Sequence, residues 1–462
     1  MTYLRRLYSR ITSRLHADSY GEPQFSRDQR NIRINIYHGI ANIVSLNLAA
    51  PFIGIYAIKI GASDFQVGLL SSGPALFSLL SMIPGGKYID RKSNQKQILS
   101  RLIFLHRLFY FLISLTPFFT EDKRAWLLVS AVALMNMPGS VFNVGWQAYI
   151  SKIIPASKRA DAFAARNKLM NLTGSIVVLL AGRIIDAVKP PVGYQVVFAA
   201  SFVMALVEIW VFNQIDEDKP EPDVSLNRAS PEVENSHGDA KAAGNRLGMV
   251  NSTLHNLRQI MQNGAFVRFT LASLVFHFAW QTPWPLFTLY QVKQLGANNT
   301  WVSLLSLANT AGSLIGYGFW ARMLNQHGNL KTLFTSSIWI FIVPAAYAFS
   351  KSLTTIAFFN VLTGAIFAGV NLALFNSLLE VTPEESKATF IGYYTTVINA
   401  SAIVAPMFGV TLYNLLGFFW AFIVCAGMRI AGSFMFFAVN CLERRIAADS
   451  GQRVLPARRH HM

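Results

Sequence analysis

The side chains able to do chemistry in this sequence are polar groups set inside long apolar runs. In the first run His38, Asn42 and Ser45 recur at helical spacing. In the fourth, Asn136, Ser140, Asn143 and Gln147 fall at i, i+4, i+7 and i+11. The seventh places Thr270, Ser273, His277, Gln281, Trp284 and Thr288 on one face, and the tenth carries Asn360, Gly364 and Asn371. Polar side chains are costly in hydrocarbon, so each stripe should face protein or water. Amides, imidazoles and hydroxyls in this pattern suit reversible hydrogen bonding to a solute along a wet path. The alternative is that they bond neighbouring helices to one another. Trp146, Trp280, Trp284, Tyr393 and Tyr394 accompany the stripes. Their rings suit sugars, amphipathic organics or cations, or a place at the membrane interface.

Charge inside the runs is sparse. Arg107 follows His106 in the third run, Glu208 lies in the inner half of the sixth, and Arg429 is near the middle of the twelfth. An arginine at the centre of a lone membrane helix costs about 2.5–3.5 kcal/mol on insertion scales. An ion pair is the expected role for these residues, and a substrate or coupling role is the alternative. His38 and His277 ionise close enough to neutral pH to exchange protons. No carboxylate lies deep in runs 1, 4 or 7. The chain has no His-Glu-x-x-His, no Gly-x-Ser-x-Gly and no phosphate-binding Gly-x-x-x-x-Gly-Lys-Ser/Thr, so neither intramembrane catalysis nor P-loop ATP hydrolysis is expected. Cys425 and Cys441 have no metal-ligand or redox spacing. No cofactor and no metal are expected.

Apolar elements must hold these groups. Only 14% of residues are charged, against roughly 25% in soluble domains, and mean hydropathy is +0.37. Run after run exceeds about 18 apolar residues, enough to cross roughly 30 Å of hydrocarbon. The expected spans are 34–59, 64–88, 98–119, 125–150, 168–188 and 193–214, then 265–292, 300–322, 331–350, 353–379, 389–414 and 417–440. The expected fold is an all-α membrane protein of twelve helices in two pseudo-symmetric bundles of six.

A net charge of +17 on a soluble chain would suggest nucleic acid. Here the basic residues fall in short loops, and topology accounts for them. Arg5 to Arg33, the group Arg91, Lys92 and Lys96, the pair Lys158 and Arg159, and the tail from Arg444 to Arg459 alternate with loops poor in Lys and Arg. The positive-inside rule then places both termini in the cytoplasm of a multi-pass cell-membrane protein. Residues 1–16 lack the continuous apolar stretch of a signal peptide. Leu4, Leu7, Tyr8, Ile11 and Leu15 alternate with arginines, as in a helix lying on an anionic leaflet; a disordered basic tail is the alternative. The expected organisation is a basic arm (1–33), a first bundle (34–214), a polar cytoplasmic linker (215–262), a second bundle (263–440) and a basic tail (441–462). The linker has the composition of a disordered segment.

The two halves resemble each other at an offset of 235. Gly61-Ala62 matches Gly296-Ala297, Val67, Leu69, Leu70 and Ser71 match Val302, Leu304, Leu305 and Ser306, Ser78-Leu79 matches Ser313-Leu314, and Asn94 and Lys96 match Asn329 and Lys331. Duplicated bundles characterise many transporter folds, with substrate near the midplane.

The loop after the second span reads Gly86-Lys87-Tyr88-Ile89-Asp90-Arg91-Lys92-Ser93-Asn94-Gln95-Lys96. It resembles the signature loop of the major facilitator superfamily, Gly-x-x-x-Asp-Arg-x-Gly followed by basic residues. Ser93 stands where the family usually has glycine. The second copy, Asn325-Gln326-His327-Gly328-Asn329-Leu330-Lys331, lacks the Asp-Arg pair. The resemblance implies a cytoplasmic latch at Gly86, Asp90 and Arg91, with Gly86 allowing close helix approach. Span 5 has Gly174 and Gly182 but not the Gly-Pro pattern of many proton-driven drug antiporters. In the family, spans 1, 4, 7 and 10 line the central cavity. The implied substrate contacts are therefore His38, Asn42, Asn136, Asn143, Gln147, His277, Gln281, Trp284 and Asn371. The expected function is secondary transport of a small organic solute by alternating access, with proton coupling open. Export of an amphipathic compound, uptake of a sugar-like solute and, more remotely, lipid flipping or sensing remain alternatives. The expected partners are the solute, the bilayer and protons, with no nucleic acid, and the expected state is a monomer.

Overall fold

A computed structural model describes residues 23–90, 92, 94–217, 258–383 and 387–449. The segment 1–16, Arg91, Ser93, most of the 215–262 linker and the arginines from Arg453 on lie outside the described residues.

The described chain is helical. Helix α1 covers 23–59 as Pro23–Ala49, a 3-10 turn Ala50–Phe52 and Ile53–Lys59. The turn contains Pro51, which has no N–H to continue the α ladder. Then follow α2 (Asp64–Asp90), α3 (Gln95–Ser114), α4 (Glu121–Ile153), α5 (Ala156–Ala187) and α6 (Val192–Phe212). Helix α7 (264–294) is broken into Gly264–Gln281, Trp284–Leu289 and a π turn Tyr290–Gln294, with Pro283 and Pro285 at the break. Helix α8 is Asn299–His327. Helix α9 (329–349) passes through a 3-10 stretch, Ile338–Phe341, and α10 is Leu353–Val381. The run Lys387–Asp449 is two helices, α11 (387–416) and α12 (418–449), meeting at Gly417, whose φ of 72° is outside the helical region.

Among the described residues, nine helical stretches are long and apolar enough to cross a membrane by length and composition alone, and one of them, Thr389–Ile446, contains both α11 and α12. With α7 and α8 they make twelve spans. Several helices outrun the apolar stretch that reveals them. Helix α5 starts twelve residues before the expected 168, α1 starts at 23, and α12 continues into the expected tail as far as Asp449. Hydropathy marks only the part immersed in lipid, while the backbone ladder continues into water.

The chain forms two compact units. The first holds the described residues up to Gln66, those from Phe77 to the end of the α6 segment, and Asn298–Ser303. The second holds Val67–Leu76, residues 258–297, and the described residues from Leu304 on. In the first unit α1 packs on α5 and α6, and α3 packs on α4 and α6. Ile98, Leu99, Ile103, Phe142, Tyr149 and Phe212 form its core. The outward face of α5 carries Leu172, Ile176, Leu180 and Ile184, each 43–54% exposed. An apolar stripe of this length suits lipid rather than water.

In the second unit α7 packs on the α11–α12 run, and α9 packs on α10. Helices α8 and α10 meet through glycine. A Cβ on Gly364 would fall on the Asn309 carbonyl and 2.9 Å from the Ser313 nitrogen, and one on Gly316 would lie 2.6 Å from the Ala365 oxygen. The contact is tied by Ser313 Oγ donating to the Gly364 carbonyl (3.1 Å) and Trp320 Nε1 donating to that of Ala365 (2.8 Å). Small residues let backbones approach in this way in lipid.

The duplication has a conformational counterpart. Gly61 (φ 88°) and Gly296 (φ 63°) are both left-handed, and each precedes by three residues the start of a helix, at Asp64 and Asn299. Within the first unit, the start of α8 is capped by a carboxylate from another helix. Asp186 Oδ1 accepts from Asn299 N (3.1 Å) and Nδ2 (2.8 Å), and Oδ2 accepts from Thr300 N (2.7 Å) and Oγ1 (2.8 Å). The two backbone N–H groups are ones a helix cannot satisfy itself, and the helix dipole favours the negative charge. Asp186→Ala is expected to lower stability by about 1 kcal/mol, read as a lower melting temperature of the purified protein. An unchanged melting temperature would show that the cap is idle.

Candidate functional site

Each unit buries one polar centre. In the first, Glu208 of α6 is fully buried. Its Oε1 accepts from Asn42 Nδ2 at 2.7 Å, and its Oε2 accepts from Arg107 Nε at 3.3 Å. His38 Nε2 lies 3.6 Å from Oε1, too far for a hydrogen bond. A bare carboxylate here would be expensive, and the arginine of α3 and the amide of α1 make it tolerable. Two turns along the α6 face, Ser201 and Ser45 exchange reciprocal bonds to each other's carbonyls (2.6 and 2.9 Å). The carboxylate and the serines join α1 to α6.

His38 sits among rings, with Phe212 at 5.2 Å and Trp146 stacked at 6.2 Å. The guanidinium of Arg166, from α5, lies over the Trp146 ring at 4.4 Å. It crosses α1 at Gly39, where a Cβ would meet Arg166 Nε at 2.6 Å.

In the second unit Arg429 is fully buried, and among the described residues it makes no ion pair. The expected carboxylate partner is replaced by backbone. Nη2 donates to the Trp280 carbonyl (2.7 Å) and Nη1 to that of Ile340 (3.1 Å). Both acceptors are products of helix breaks. Trp280 is in the last turn of the first α7 segment, where carbonyls lack a donor from the same helix. Pro344, four residues beyond Ile340, has no N–H to give it. The Phe287 ring lies 5.7 Å away, within cation–π range. Arg429 therefore fastens α12 to the breaks in α7 and α9. Arg429→Met is expected to cost about 2 kcal/mol by stranding these carbonyls, with Arg429→Lys in between. Thermal unfolding checks it, and Met matching wild type would reject the fastening role.

The other expected residues are placed as follows. His277 Nδ1 is 2.8 Å from the Ser273 carbonyl, and Gln281 Oε1 accepts from Ser401 Oγ at 3.0 Å. Asn136 donates to the Val132 carbonyl of its own helix (2.7 Å). Asn143, Gln147, Trp284 and Asn371 are exposed. The structure thus gathers His38, Asn42 and Glu208 in one cluster, and His277, Gln281 and Arg429 on or against α7. Asn136 and Asn371 join neither. At the signature loop, the tight contact falls on Gly85, where a Cβ would meet Val141, whereas one on Gly86 would reach only Val144 at 3.6 Å. The Asp90 side chain and Arg91 lie outside the described residues.

Sequence reasoning did not count Arg166 among the site residues, and it missed the lower end of the α1 stripe. Asn31 and Asn35 lie at helical spacing below His38 and are buried. Asn31 exchanges bonds with the Asp216 backbone (3.0 and 2.9 Å). Extending the polar period of α1 down to residue 31 would have found both. Arg166 was hidden because hydropathy starts its helix at 168.

The model of the Major Facilitator Superfamily matches residues 39–267 and 269–457. No curated protein sequence matches. Among solved structures, the chain is similar to a bacterial homologue of the human lysosomal transporter Spinster, in an inward-facing and unoccupied conformation (13% identity, 91% of this chain and 97% of that one, TM-score 0.60). It is also similar to the nucleoside transporter NupG (10%, 88% and 99%, 0.64) and to a D-xylose–proton symporter (12%, 89% and 97%, 0.62). At these identities the likeness is one of fold.

Proposed function

The chain belongs to the Major Facilitator Superfamily, and from that membership we propose that it is a secondary transporter, carrying a small organic solute across the cell membrane by alternating access. The family match to both halves of the chain carries this reading. The polar stripes support it, because amides exposed on membrane helices, such as Asn143, Gln147 and Asn371, need water or a solute. His38, Asn42, Asn136, His277, Gln281 and Trp284 complete the proposed solute contacts. Gly86, Asp90 and Arg91 form the proposed cytoplasmic latch. The alternation of Lys and Arg among the loops supports cytoplasmic termini. Proton drive is a further part of the proposal, with His38, His277 and Glu208 as the candidate carriers.

Reconstitution tests it. Proteoliposomes containing the full chain should take up at least one member of a panel of sugars, nucleosides, organic acids and amphipathic drugs. Asn143→Ala and Gln281→Ala should lower that flux at least about tenfold, the loss of roughly one good hydrogen bond each. Flux unaffected by either would remove the solute contacts assigned here. Flux equal with and without a proton gradient would remove proton drive.

A further inference from the structure

The first unit's polar centre carries more positive charge than it neutralises. Arg107 and Arg166 are 2% and 7% exposed, and Glu208 is the carboxylate that faces them. Glu208 is engaged by Arg107 and Asn42. Among the described residues Arg166 has no ion pair and no hydrogen bond, and its Nε is buried without a partner. Other buried polar atoms of the first unit are unpartnered too. Trp146 Nε1, Arg107 Nη1 and both polar atoms of Asn35, one turn before Gly39 on α1, are buried without acceptors or donors. A buried cation and several buried donors without acceptors are costly, and their shared need is an anion.

The geometry suits one. The Arg166 guanidinium carbon sits 4.4 Å over the Trp146 ring, and a guanidinium held on one side in this way can still offer N–H groups to a carboxylate or phosphate in two-pronged fashion. Gly39 provides the room, since a side chain there would push the guanidinium off the ring.

We propose that Arg166, held by Trp146 and Gly39, binds the anionic group of the transported solute, a carboxylate or a phosphate, with Asn35 and Trp146 Nε1 as auxiliary polar groups. This rests on the transport reading above and narrows its substrate to organic anions.

The test uses purified full-length protein and matched probes: benzoate against benzamide, succinate against succinamide, and glycerol 3-phosphate against glycerol. At least one anion should raise the melting temperature where its neutral partner does not. The first two pairs and the third distinguish a carboxylate from a phosphate. Arg166→Gln should weaken the apparent affinity roughly 10- to 100-fold, and Arg166→Lys should weaken it less. Gly39→Ala keeps the charge but displaces the guanidinium and should weaken binding as well, which covers the case in which Arg166→Gln does not fold. No anion-specific stabilisation across the panel overturns the proposal, as does full retention in Arg166→Gln. The two readings fail separately. Anion binding lost in Arg166→Gln without flux in wild-type proteoliposomes would refute transport alone. Flux of a neutral solute that Arg166→Gln leaves intact would refute the anion site alone.

Discussion

Glu208→Leu is expected to lower folding stability by about 3–5 kcal/mol, the usual cost of removing one partner from a buried ion pair. The carboxylate is fully buried and is the acceptor for Arg107 Nε and Asn42 Nδ2. Without it, the two buried arginines Arg107 and Arg166 are left with no carboxylate to offset them among the described residues. Glu208→Gln keeps an acceptor for Asn42 but no charge, and should fall between leucine and wild type. Adding Arg107→Leu to Glu208→Leu should restore part of the loss, because the stranded cation is then gone. The double-mutant cycle measures this as a coupling energy. Simple additivity of the two losses would show that the pair does not act as a unit.

Gly364→Leu is expected to cost more than about 3 kcal/mol and to abolish recovery of monodisperse protein. The obstacle is the Asn309 carbonyl and the Ser313 nitrogen of α8, backbone atoms that no rotamer change can move. Gly364→Ala should cost about 1–3 kcal/mol, as α8 and α10 separate and weaken the bonds from Ser313 and Trp320. Gly318 lies on the same α8 with open space beyond its Cα. Gly318→Ala should be neutral or gain up to about 1 kcal/mol of helix propensity. If the two alanine variants behave alike, close packing is not what Gly364 provides.

The twelve spans were legible because lipid demands runs of apolar residues, and the duplication was legible because loop residues such as Gly61 and Gly296 recur at one offset. Helix ends were not, since nothing in hydropathy separates a helix leaving the membrane from a loop. That is why α5 gained its first three turns, and Arg166 with them. The partners of buried charges were also hidden. Arg429 was expected to need a carboxylate, but its acceptors are carbonyls freed by a break in α7 and by Pro344, far away along the chain. Gly85 rather than Gly86 takes the tight contact because the helix rotation, not the motif, decides which residue faces α4. The α1 stripe, by contrast, follows from spacing alone and could have been read down to Asn31.

The order of synthesis gives the Arg429 contacts a further meaning. Its acceptors, Trp280 and Ile340, lie 149 and 89 residues upstream. They are made and threaded into the bilayer before the final helix leaves the ribosome. A solitary copy of that helix would enter hydrocarbon with its guanidinium bare. In the growing chain, a docking surface is already waiting, so insertion of the last segment and assembly of the second half become one event during biogenesis.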